Sequence, residues 1–355
     1  MIKINELRND QRRQLIDIQQ TFEAYEVKKR LAKARYAGSM RWAERNGTEY
    51  LLRKRDKVEH SLGQRSPETE LIYRQFMEGR ERNEGEMKSL VAQMEQKASV
   101  NRAMGLGRVP NLTARILRRL ADANLLGTHL HVVGTNALFA YEARTGAFFS
   151  TDLLATGDAD LPMDARRKLR LTVDEVRREG VLGVIRKVDK SFELRGKRDF
   201  RAFNKDGFYV DLIRPETGNV MSRNERDRIG QSEDDLHGSP IHGLNWLVNA
   251  PKFSAIALDE RGYPVRIEAV DPRAFALHKA WVSSLPEREP LKRNRDYDQA
   301  VAVARIAERY LNLPFDNDDL SALPVELRQQ AARLLKDGMD EPEPDEDVDE
   351  KPSWW

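Results

Sequence analysis

Asp158 and Asp160 stand one residue apart in "ATGDADL", directly behind Gly157. On a strand, residues i and i+2 project from one face, so the two carboxylates would stand side by side. Carboxylates that close repel, and unless one takes up a proton they ask for a cation; hard oxygen donors of this kind suit Mg²⁺ or Mn²⁺. The plainer alternative is an Asx-rich surface turn. A third acid, Asp211 in "FYVDLI", is enclosed by apolar and aromatic residues, where an unpaired charge is costly. Three acids on neighbouring strands can hold two metal ions, aligning an attacking hydroxyl with a nucleotide α-phosphate and stabilising the pyrophosphate that leaves. Asp158, Asp160 and Asp211 are therefore the candidate metal ligands and the candidate catalytic residues, and nucleotidyl transfer from an NTP is the chemistry they suit.

Such chemistry needs a phosphate cradle. Gly134 and Thr135 follow the strand-like "LHVV" and precede a helical "ALFAYEART". A strand-to-helix turn of this kind leaves backbone N–H groups and a hydroxyl facing a ligand, although glycine is common at such turns for purely structural reasons. His129 and His131 share a strand face but flank a buried element, which favours a structural role. Walker, G-x-S-x-G and G-x-G-x-x-G motifs are absent, so P-loop, serine-hydrolase and dinucleotide-binding classes have no support. The chain has no cysteine, which excludes disulfides and zinc–thiolate sites.

The elements that must position these residues follow from the pattern along the chain. From Glu6 to Met104 helix formers dominate, with apolar residues at three- and four-residue steps such as Leu15, Ile18, Phe22 and Tyr25, so region 1–105 is expected to be nearly all helical. "RSPETELIYRQF" is a helix start, with Ser66 as cap, Pro67 in the first turn, and Leu71 and Phe76 on the buried stripe. Basic runs such as "EVKKRLAKARY" and "LLRKRDK" read as a solvated helix face in preference to a nucleic-acid arm. "GLGRVP" marks a boundary, after which 106–270 reads as a mixed domain. It opens with a helix over 112–125 and the strand before Gly134, and has a helix around 165–179. Strand-like pieces follow in "VLGVIRKV", "SFELR", "DFRAFN" and "GFYVDLIRP", the last two joined by the hairpin signal "NKDG", and a later hairpin turns at Asp259 to Gly262. Residues 271–336 return to helical periodicity as a C-terminal helical domain, and 337–355 read as an acidic disordered tail. The fold class is thus α+β.

A formal charge of +2 conceals an asymmetry. Eight acids crowd between Asp340 and Glu350, and residues 1–339 carry 59 basic against 50 acidic side chains, +9 in all. Such a balance attracts phosphate-rich partners. "MIKINELRNDQ" lacks the apolar core of a signal peptide, and no window approaches the roughly 18–20 apolar residues of a membrane span, which points to a cytoplasmic protein.

In order, "HVVGTNALFAYEA", "LLATGDADL" and "FYVDLIRP" resemble the polymerase-β-like nucleotidyltransferase superfamily: a hydrophobic strand, Gly with Ser or Gly, an Asp-x-Asp strand, and a later strand with a third acid. The likeness extends over about 128–298, and the "GT" and "YEA" elements look like a bacterial nucleotidyltransferase-like family. It implies a mixed sheet flanked by N- and C-terminal helices, two Mg²⁺ ions held by Asp158, Asp160 and Asp211, and the triphosphate held at Gly134 and Thr135. Thr135 departs from the usual Ser or Gly while keeping a hydroxyl, and the gap to Asp158 is longer than the pattern's norm. "FALHKAWVSSL" and "KRNRDYDQAV" resemble the helical part of related enzymes, including toxins of the AbiEii and MenT type, in which a lysine contacts the nucleotide phosphates. The match is Lys279, with Arg295, Asp296 and Asp298 as supports; its apolar neighbours Phe275, Leu277 and Trp281 mean that its ammonium needs an anionic partner. The resemblance and the basic chain together imply an RNA acceptor, such as a tRNA 3′ end. Protein nucleotidylation, with a partner docked on the N-terminal helices, and a non-catalytic nucleotide- or RNA-binding module are the alternatives.

Overall fold

A computed structural model of the chain describes residues 4–55, 58–154, 168–173, 180–216, 235–316 and 318–338, with 168–173 described by backbone alone. Asp158 and Asp160 lie outside the described residues, as does the acidic tail from residue 339 onward. Two compact units emerge. One comprises the first eight residues, Arg108–Glu260 and the chain from Val265; the other comprises Asn9–Gly107 and Arg261–Pro264.

The larger unit opens with strand β1 (Ile4–Glu6). The smaller unit opens with helix α1 (Asn9–Leu31), in which Leu15 and Ile18 are buried and which runs on into a π-helical turn over Ala32–Tyr36. It is not all helical. Strands β2 (Ser39–Arg45), β3 (Thr48–Arg55) and β4 (Val58–Gln64) form an antiparallel sheet. The β2–β3 turn is Asn46–Gly47, both with positive φ (50° and 76°), the conformation that matches the right-handed twist of a hairpin and that Asn-Gly adopts most readily. Helix α2 (Pro67–Ala103) starts as its sequence demands, with the Ser66 side chain accepting from Thr69 N, Thr69 reciprocating, and Pro67 in the first turn. Phe76 is buried on it, but Leu71 is 51% exposed. The stripe that faces the core continues instead through Asn83, Met94 and Ala98.

The larger unit is α+β, as expected. Helix α3 (Asn111–Asp122) leads to β5 (Leu130–Val133), a tight 3₁₀ turn at Gly134–Ala137, α4 (Leu138–Thr145), β6 (Ala147–Phe149), α5 (Thr151–Leu154) and β7 (Lys168–Val173). Next come α6 (Val181–Arg186), β8 (Glu193–Leu194), β9 (Arg201–Phe203), β10 (Tyr209–Pro215), β11 (Ser239–Ile241), α7 (Leu244–Asn249), β12 (Lys252–Leu258) and β13 (Pro264–Val270). The helices α8 (Pro272–Ser284), α9 (Pro290–Arg309), α10 (Val325–Arg328) and α11 (Ala331–Asp337) complete it.

The main sheet has the order β12-β13-β5-β7-β10-β9-β8, with β11 also paired to β10, while β1 pairs with β6 apart from it. β5 runs antiparallel to β7 and parallel to β13, and β10 runs parallel to β7 and antiparallel to β9, so the sheet is mixed. Two expectations are corrected. Residues 168–173, placed in a helix by the sequence reading, form β7, whose "KLRLTV" alternates in the manner of a strand between β5 and β10. "VLGVIR", read as a strand, is helix α6, because the Asp235 carboxylate accepts from Val181 N (3.1 Å) and Leu182 N (2.8 Å) and so satisfies the donors at its start. A Cβ on Gly180 would lie 2.1 Å from Asp235 Oδ2, so this cap requires glycine there. The helices after Asp271 belong to the same compact unit as the sheet, sharing its core through Phe275, Leu277, Val303 and Ile306. Among the described residues no helix is long and apolar enough to cross a membrane.

Candidate active site

A cavity of about 520 Å³ opens on one side of the sheet, within the size range of sites for small ligands. Its walls bring together residues that the sequence reading selected from three distant stretches: Gly134, Asp211 and Lys279 all line it. Gly134 follows β5 with φ of +69°, a left-handed conformation in which a side chain is strained, and the 3₁₀ turn that it begins has no side-chain cap. Thr135 is not among the lining residues; its hydroxyl accepts from Gln299 Nε2 of α9 at 3.3 Å, and the same amide donates to Leu153 O at 2.7 Å. His129 and His131 are both 2% exposed.

Asp211 lies in the middle of β10, 2% exposed, between the fully buried Val210 and Leu212. Its charge is compensated across the sheet. Arg201, directly opposite on β9, donates from Nε to Oδ1 at 2.6 Å and from Nη2 to Oδ2 at 3.0 Å, a fork-to-fork pair. Arg201 is also braced against the rings of Phe200 (5.3 Å) and Tyr209 (5.2 Å), and the hydrogen bond to Asp211 raises its already high pKa. The sequence reading missed Arg201. The register about "NKDG", which pairs Phe203 with Tyr209 and hence Arg201 with Asp211, is the signal that could have found it.

On the opposite wall α8 supplies Lys279, 9% exposed, whose ammonium donates to Asp296 Oδ1 at 2.5 Å and lies 5.8 Å from the centre of the Phe275 ring. Asp296, with no exposure at all, also accepts from Arg288, whose Nε is 2.7 Å from Oδ2. Burial pushes the Asp296 carboxyl up, but Lys279 and Arg288 outweigh it and hold the group below its ordinary value. The anionic partner that the lysine needs is therefore Asp296, the first residue of α9 that the fold turns fully inward. Arg295 and Asp298 do not line the cavity, and Asp298 lies on the exposed side of α9. Arg288, which does line the cavity, sits in the α8–α9 connection and carries no motif by which sequence alone would single it out.

Farther along α8 the lining becomes aromatic and apolar, with Trp281 and Val282 on the helix, Leu285 just past its end, and Ile241 and His242 from the segment between β11 and α7. His278, between Lys279 and the tryptophans, has a pKa lowered to about 3, chiefly by burial and then by the Lys279 charge, so it is neutral throughout the physiological range.

Among the described residues no group of three or more metal-ligating side chains is found. Asp211 is a hard oxygen donor of the type a divalent cation takes, on the cavity wall, but both its oxygens already accept from Arg201, with which a cation would compete. The other two expected ligands, Asp158 and Asp160, precede β7, the strand adjacent to β10, and fall outside the described residues.

Residues 111–324 match a family model described as "Nucleotidyltransferase", which spans more than half of the chain. No curated protein and no solved structure gives a significant match.

Proposed function

Because the chain belongs to the nucleotidyltransferase family, we propose that this cavity binds an NTP and passes its nucleotidyl group to an acceptor hydroxyl. The observation that carries the reading is the meeting of Gly134, Asp211 and Lys279 on the walls of one cavity. The turn at Gly134 would present backbone N–H groups to the triphosphate, and Lys279 with Arg288 would balance its charge. Asp211, together with Asp158 and Asp160, would hold Mg²⁺ or Mn²⁺, which when bound supplies charge neutralisation at the reacting phosphate and at the departing pyrophosphate. Asp211 would also help to activate the acceptor hydroxyl.

RNA is the acceptor that the charge supports best. Arg195, Lys197 and Arg198 are exposed on the loop leading into β9, and Phe200, 36% exposed, continues that loop into the cavity wall. Exposed cations beside an accessible ring suit a single-stranded backbone and its bases. The Arg201 fork on Asp211 is the observation that would suit a binding module without catalysis.

Incubation with each labelled NTP, Mg²⁺ and either total RNA or protein extract separates these readings. Label is expected on RNA, and is lost with Asp158→Ala, Asp160→Ala or Asp211→Ala. Label on protein would move the acceptor to a protein hydroxyl. No transfer to either, or transfer undiminished by the three substitutions, would sink the enzymatic reading.

A further inference from the structure

The aromatic end of the cavity has no part in phosphate chemistry, yet its rings are packed closely against one another. Trp281 lies against Trp246 with ring centroids 4.9 Å apart at 76°, and against His278 (5.6 Å) and His242 (5.7 Å). Gly243 closes this cage: with φ of +77°, a Cβ there would stand 2.8 Å from the Trp281 ring and 2.9 Å from that of Trp246. So fixed, Trp281 is still half-buried and lines the cavity. His278, Trp281 and Val282 fall at helical spacing on one stripe of α8, about 6 Å long at 1.5 Å per residue, with Lys279 next to its beginning. Cation and aromatic platform thus border the same cavity, where one ligand can meet both. A second feature points to a ligand. His278 Nε2 is buried and has no hydrogen-bond partner among the described residues, a costly state for a polar atom unless something else fills its place.

We propose that Trp281 is the nucleobase platform of this cavity: the base of the incoming NTP stacks on its indole, while the phosphates lie toward Lys279 and Gly134. This rests on the nucleotide reading above and adds to it the part of the substrate that the acids and cations do not contact. The cage of Trp246, His278, His242 and Gly243 fixes the indole before the ligand arrives, so little rotamer freedom is lost on binding. Because every base has a π-face, the platform holds bases generally and does not by itself choose among them.

Calorimetric titration of the full chain with ATP and with inorganic tripolyphosphate, both in Mg²⁺, tests this. Trp281→Ala is expected to weaken ATP binding about tenfold to a hundredfold and to leave tripolyphosphate binding unchanged. Trp281→Phe, which keeps a stacking face, is expected to stay within about threefold of wild type for ATP. An ATP affinity unmoved by Trp281→Ala overturns the platform and leaves the nucleotide reading intact. Equal losses for ATP and tripolyphosphate in both variants assign Trp281 to packing and overturn the platform as well. A wild-type chain that binds no ATP removes the nucleotide reading and this inference together.

Discussion

Replacing Asp296 by asparagine keeps the side chain's shape and removes the charge that binds Lys279 and Arg288 to each other. In the folded protein Asp296 is fully buried, with the Lys279 ammonium at 2.5 Å and Arg288 Nε at 2.7 Å. At an effective dielectric of about 20, one such unit-charge pair at 4 Å is worth about 4 kcal/mol before the cost of desolvation. Loss of one member of a buried pair typically destabilises by about 3–5 kcal/mol, because the cations left behind lose their shared counter-charge and, here, repel. For a unit of this size that corresponds to a fall in Tm of roughly 6–20 °C. Thermal unfolding followed by circular dichroism at pH 7 measures it. The pH dependence has a fixed sign: the folded pKa is depressed, so the stabilisation is complete above the unfolded value of about 3.9 and disappears only as pH falls below it. The gap between wild type and variant should therefore be constant from pH 5 to pH 8. A variant melting within 2 °C of wild type would show that Lys279 and Arg288 find equivalent partners without Asp296, and would refute the reasoning.

His278 gives a pH dependence in a higher window. Its folded pKa of about 3 lies below the unfolded value near 6.5, so stability is complete above pH 6.5 and is lost as pH falls toward 3. Between pH 6.5 and 5 the loss is about 1.5 kcal/mol more in wild type than in His278→Gln, read from guanidinium midpoints; parallel losses in the two proteins would show that the imidazole is not buried neutral. Arg201→Gln removes the guanidinium from both oxygens of Asp211, so Mn²⁺ affinity measured by electron paramagnetic resonance should rise several-fold. An affinity unchanged or reduced would mean that Arg201 does not compete with the cation.

Three residues of the cavity wall could be read from sequence because their chemistry is expensive to misplace. Asp211 among apolar strand residues, Gly134 where a strand must turn into a helix, and Lys279 on an apolar helix each break a local rule, and all three line the cavity. Arg201, Arg288 and Trp281 break none; their parts follow from register, from a loop between helices and from a cage assembled by tertiary contacts. The same division holds for the fold. "NKDG" gave its hairpin, but Asn46–Gly47, an equally strong signal, was outweighed by the helix formers around it, and the β2–β4 sheet went unseen. Helix α6 escaped because its cap, Asp235, is remote in the chain, beyond the reach of any local pattern.

Gln299 has a consequence for dissecting the chain. Through one amide it bridges Thr135, beside the Gly134 turn, and Leu153 of α5, while the Tyr141 ring of α4 packs edge-on against Phe275 of α8, centroids 5.6 Å apart. The helices after Asp271 are therefore not a detachable appendage. A recombinant fragment stopped at residue 270 would lose the wall carrying Lys279 and Trp281 and the splint between the Gly134 turn and α5, so the shortest portion worth expressing for biochemistry extends past Leu334, where α11 closes the core.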